Sequence, residues 1–110
     1  MTTQPAHDTL TRRLAQLNAD ALLMEPRSVF DRAIIRITDA PADHWPRPRP
    51  EWVAVYCGHA LVSLLMDEEC MDCSSAIEWV TCNMEGAWHG AGTWSIEWTD
   101  VDGPPSLTVP

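Results

Sequence analysis

Lysine is missing from all 110 residues, and beyond Pro50 arginine is missing as well, so every basic side chain lies between Arg12 and Arg49. Without lysine there is no phosphate-binding P-loop, because that motif needs one and should open a helix. The glycine-rich "GAWHGAGT" (86–93) leads instead into a strand pattern and reads as a turn. No apolar run is long enough to span a bilayer, and the opening "MTTQPAHDTLTRR" has no apolar segment of the signal-peptide kind. The expectation is a cytoplasmic protein with no membrane partner. In that reducing setting its four cysteines serve as thiols or metal ligands rather than bridges. The chain is also too short for two cores. It is expected to form one domain over 1–110, with flexible ends at about 1–7 and 102–110.

What is present in excess is negative charge: −9 at neutral pH, with a pI near 4.6. Up to residue 50, seven arginines face six acids; from Glu51 onward ten acids face no basic residue. Such a surface repels phosphate backbones, so nucleic acid is not an expected direct partner, and it suits docking on a cationic target. Asp67, Glu68 and Glu69 concentrate this charge in the last turn of a helix pattern. There the macrodipole makes each carboxylate unfavourable by about 0.3–1 kcal/mol. A helix built only for stability would place basic residues there, so the triplet is a candidate binding element.

The apolar spacing Leu10, Leu14, Leu17, Ala21 and Met24 predicts an amphipathic helix, capped by Asp8 or Thr9 and ending near Pro26. "FDRAIIRIT" (30–38) and "EWVAVY" (51–56) predict strands, separated by a proline-rich loop that regular pairing cannot use. "GHALVSLLMDEE" (58–69) predicts a helix, and "MDCSSAIEWVTCNMEG" (71–86) another, capped by Asp72 or Ser75, with Ile77, Val80 and Met84 as its buried stripe. In "TWSIEWT" (93–99), Trp94, Ile96 and Trp98 share one face while Ser95 and Glu97 point the other way. The fold class is α+β, with a small, mainly antiparallel sheet of about three strands packed with three helices.

Cys70-x-x-Cys73, with Cys57, His59, Cys82 and His89 nearby in sequence, raises the question of zinc. A helix over 58–69 would hold Cys57 and Cys70 about 20 Å apart at its 1.5 Å rise, whereas the ligands of one zinc sit within roughly 2.3 Å of it. Cys82 lies about 13 Å along the next helix from Cys73. The reading is therefore structural thiols, with no metal and no cofactor. A redox-active pair is disfavoured by the surrounding Asp67, Glu68, Glu69 and Asp72, which oppose thiolate formation. A deaminase would need a Glu two residues after its first ligand, and Cys57-Gly58-His59-Ala60 has none.

Exposed Trp and Arg dominate binding hot spots. That makes "HWPRPRP" (44–50), with Trp45, Arg47 and Arg49, a contact arm whose prolines limit the entropy lost on docking. Trp88 and His89 in the glycine turn are the other candidates.

The runs "LNADALL" (17–23), "FDRAII" (30–35), "LLM" (64–66) and "MDCSSAIEWVTCNMEGAWHGAGT" (71–93) resemble a group of small bacteriophage and prophage proteins. The likeness covers about residues 14–94 and is most specific over Asn83–Gly90; the proline–arginine loop and Cys57, His59, Cys70 and Cys73 depart from the pattern. The resemblance implies a phage setting and a compact fold, and it brings no mechanism with it. Together with the charge it gives the functional expectation. This is an acidic phage accessory protein that binds a host protein or protein complex, an anti-CRISPR-like inhibitor occupying a nucleic-acid-binding surface, and more a binder than an enzyme. The alternative is a small enzyme or ligand-binding protein with its site at the Asn83–Gly92 turn. Homodimerisation through the tryptophan strand is a further expectation.

Overall fold

The computed structural model of the chain describes residues 5–39, 51–85 and 92–98. Helix α1 (Pro5–Leu17) starts on a proline, whose fixed φ suits a first turn and whose absent N–H would have had no partner there. Asp8 and Thr9 therefore lie inside the helix rather than capping it, and Leu10 and Leu14 are its buried positions. The helix ends well before Pro26. At Asn18 the side chain takes over: its amide donates to the Trp52 carbonyl (2.9 Å) and its oxygen accepts the Asp20 N–H (3.1 Å). An Asn bonding its own backbone two residues on makes a turn, and here this overrides the helical spacing of Ala21 and Met24.

A short helix α2 (Arg27–Phe30) and a 3-10 turn (Asp31–Ala33) come next, closed by the Arg27–Asp31 ion pair at 2.9 Å. They take the first four residues of the strand expected over 30–38, so β1 is Ile34–Thr38. Strand β2 (Val53–Cys57) runs directly into α3 (Gly58–Glu68); α4 (Cys73–Trp79) continues as a π-helical turn, Val80–Glu85; and β3 is Ser95–Glu97. The sheet order is β1-β2-β3, antiparallel between β1 and β2 and parallel between β2 and β3. The protein is thus α+β with a small three-stranded sheet, and α2 is a helix beyond the three expected.

One apolar cluster joins Leu10 and Leu14 of α1, Tyr56 of β2, Leu61 and Leu65 of α3 and Val80 of the π turn. On the other side of β2, Val53, Val55 and Cys57 are buried too, which is why this strand reads as an unbroken apolar run. Two expectations are corrected here. The buried stripe of α4 is Ala76, Val80 and Met84, while Ile77 and Trp79 are 43% and 45% exposed. Ser95, expected to point away from the core, is buried, whereas Trp94, Ile96 and Trp98 are half-buried against it. Among the described residues no helix is long and apolar enough to cross a membrane.

Candidate functional site

Helix α3 has one buried side and two flanks, and each flank opens onto a depression. The larger, about 510 Å³, lies between α3 and α4. Its α3 wall is His59, Val62, Ser63 and Met66, an i, i+3, i+4, i+7 set on one helix face; Ile77 and Cys73 line the α4 side, with Trp98 at one end. The rings of His59 and Trp98 meet edge-to-face at 5.3 Å, and the Trp98 indole N–H donates to Glu85 (3.1 Å). The Thr81 hydroxyl is committed to the Ile77 carbonyl (3.0 Å). Among the described residues no Asp, Glu or Arg lines this groove.

The smaller depression, about 290 Å³, lies on the opposite flank. Phe30, Leu65 and Met84, all buried, give it an apolar floor. Glu25, Glu68 and Glu69 stand around it, and the half-exposed Trp79 forms part of its wall. Glu69 is the C-cap of α3, its N–H bonded to the Leu65 carbonyl (3.0 Å), which places its side chain at the helix end. Arg32 sits at the same edge. Its guanidinium pairs with Glu68 (2.6 Å) and its Nε donates to the carbonyl of Val29, another lining residue (3.3 Å).

The acidic triplet is therefore divided. Asp67, Glu68 and Glu69 are all exposed, yet only Glu68 and Glu69 line the depression, and Glu68 is engaged by an arginine of the first half of the chain. A second long-range pair, Arg36 with Glu97, again joins the two halves. The charge segregation along the sequence is thus partly undone in space. What persists is the segment 67–85, where Asp72, Glu78 and Glu85 are also exposed and no basic residue occurs. Asp72 caps α4 by accepting the Ser75 N–H (2.7 Å), a bond that holds its carboxyl below the usual carboxylate range. Asp67, Glu69 and Glu78 make no ion pair among the described residues.

Trp45, Arg47 and Arg49, and likewise Trp88 and His89, lie outside the described residues, as do residues 86–91 of the 83–92 turn, residues 1–4 and residues 99–110, whereas residues 5–7 of the expected N-terminal tail begin α1. Residues 83–85 of that turn belong to the π-helical turn, and at its other end Gly92 is described. Its carbonyl accepts the Leu22 N–H (3.0 Å), and a Cβ there would stand 2.6 Å from the Asp20 carbonyl oxygen. The cysteines are unbridged, with Cys57 buried and Cys70, Cys73 and Cys82 exposed. All of α3 separates Cys57 from Cys70, and among the described residues no three His, Cys, Asp or Glu converge as metal ligands would. Sequence reasoning missed Glu25, Arg32 and Trp79 as site residues. The exposed glutamates were readable, but not the fold that brings Glu25 to them.

No family model, curated protein or solved structure matches the chain.

Proposed function

We propose that this is a non-catalytic accessory protein, of the phage kind its sequence resembles, that docks in the host cytoplasm on a positively charged protein surface. There it occupies ground that nucleic acid would otherwise cover, as an anti-CRISPR-like inhibitor does. One observation carries the reading: from Asp67 to Glu85 six carboxylates are exposed with no basic residue among them, in a chain of charge −9. Exposed carboxylates can stand in for phosphates opposite Lys and Arg, speeding encounter and rejecting anionic partners.

The test is capture from host lysate on the immobilised full chain at low and high salt, with mass spectrometric identification, beside a variant carrying D67N, E69Q and E78Q. A nucleic-acid-binding protein retained at low salt, released at high salt and lost with the variant supports the reading. Retention of nothing at either salt, or retention that ignores the three amides, ends it.

The larger groove supports a second reading, binding of an uncharged small molecule. Its volume of about 510 Å³ falls within the range of roughly 300–1,000 Å³ usual for ligand pockets. The groove lies on the α3–α4 flank.

A further inference from the structure

At about 290 Å³, the depression beside Glu69 lies at the lower end of ligand-pocket volumes, roughly 300–1,000 Å³, which suits one side chain better than a whole metabolite. Its floor is hydrocarbon, from Phe30, Leu65 and Met84, and its edge is anionic, from Glu25, Glu68 and Glu69. The matching occupant has an apolar stem and a cationic head. A guanidinium is already in place at this edge: Arg32 holds Glu68 at 2.6 Å and the Val29 carbonyl at 3.3 Å. The two side chains of that pair are 38% and 43% exposed, so solvent and competing cations reach it. We infer that the depression is a pocket for an arginine side chain presented by the protein partner, and that Arg32 is its resident competitor.

The inference rests on the reading of this protein as a binder of cationic protein surfaces, and it names the anchor. Arginine fits better than lysine for three reasons. Its planar fork can engage the carboxylates around the depression in pairs, it stacks on an aromatic face such as Trp79, and it is the more weakly hydrated cation. Its methylene stem covers apolar floor while the head stays at the carboxylates. A phosphate-bearing ligand is repelled by the same three glutamates, and a second copy of the chain brings nine more net negative charges toward them.

The experiment titrates the 15N-labelled full chain at low salt with a short acetylated Ala-Leu-Arg-Leu-Ala amide, and with versions carrying lysine or neutral citrulline in place of arginine. The arginine peptide should shift the Trp79 indole N–H and the amides of Glu69 and Met71, bind more tightly than the lysine peptide, and leave the citrulline peptide without a match. E69Q should weaken it by roughly two- to fivefold, the range expected of an exposed ion pair. R32Q should tighten it by a similar factor relative to R13Q, which removes the same charge from α1. Thermal melts confirm that each variant is folded.

Shifts confined to other residues overturn the inference, as does equal binding of the citrulline peptide, or R32Q binding no more tightly than R13Q. Concentration-dependent shifts at the depression without peptide would assign it to a second copy and overturn it too, and so would no shift with any peptide. None of these results decides the broader reading. Capture from lysate can succeed through Asp67 and Glu78 even where this pocket takes no arginine.

Discussion

Trp98 lies across Gly58: a Cβ built on residue 58 would stand 2.4 Å from the indole ring. The same ring meets His59 at 5.3 Å and is tied by its N–H to Glu85. The start of α3, the end of the π turn and the residue after β3 thus share one contact. G58A should lower stability by roughly 1–3 kcal/mol, the usual result of overpacking, as measured by urea denaturation. In a W98A background the same substitution should cost far less, because the atoms it strikes are gone. Equal costs in both backgrounds would mean that the ring does not rest on Gly58.

Arg36 of β1 and Glu97 of β3 pair across the central strand, so the two edges of the sheet are linked by charge as well as through β2. The guanidinium holds the Glu97 carboxyl below its usual range and is itself pushed further up. A carboxyl depressed in the folded state contributes stability that is present above its unfolded pKa of about 4.3. That contribution is lost as pH falls through the lower folded value. Asp72 acts in the same direction. Unfolding free energy should therefore fall as pH is lowered from about 5. E97Q should fall less steeply and be less stable at neutral pH by about 1 kcal/mol or less. Parallel pH profiles for the two proteins would remove Glu97 from the account.

Tyr56 and Ser95 make opposite predictions about buried hydroxyls. The Tyr56 oxygen accepts the Met24 N–H (2.8 Å) inside the core, and burial pushes the phenol above its ordinary value. Y56F would strand that N–H and should cost roughly 1–3 kcal/mol. The Ser95 hydroxyl is buried with no hydrogen-bond partner among the described residues. S95A removes an uncompensated polar group and should be neutral or stabilising by about 1 kcal/mol. Thermal denaturation of the two variants checks both signs.

Helix α3 was legible almost to the residue, because Leu61 and Leu65 mark its buried side and it follows a strand with no exposed position. The start of α4 was legible through the Asp72 cap. The end of α1 was not, since it is decided by a hydrogen bond from Asn18 to Trp52, 34 residues away. The rotation of α4 was not legible either. Ile77 is the larger and more apolar of the adjacent pair Ala76 and Ile77, so its sequence signal points inward, yet close packing of α4 on α3 places the smaller Ala76 in the interior. The candidate site shows the same division. Glu68 and Glu69 could be read as exposed acids, but the Arg32–Glu68 pair spans 36 residues and Arg36–Glu97 spans 61. No local pattern encodes those meetings, and they changed the electrostatic picture most.

The acidic end of α3 gives the last prediction. No basic residue occupies its final turn, so Asp67 faces the negative end of the macrodipole without an ion-pair partner among the described residues. D67N should stabilise the protein by about 0.3–1 kcal/mol. E68Q relieves the same repulsion but forfeits the pair with Arg32, so its net effect should be near zero. Both effects should shrink in high salt, which screens exposed charges. Comparing the two variants by thermal denaturation at low and high salt therefore separates dipole repulsion from pairing. A stabilised D67N that also binds a cationic partner less well would mean that the carboxylate at 67 serves binding at the expense of the helix. A destabilised D67N would mean that the charge has a local structural role instead.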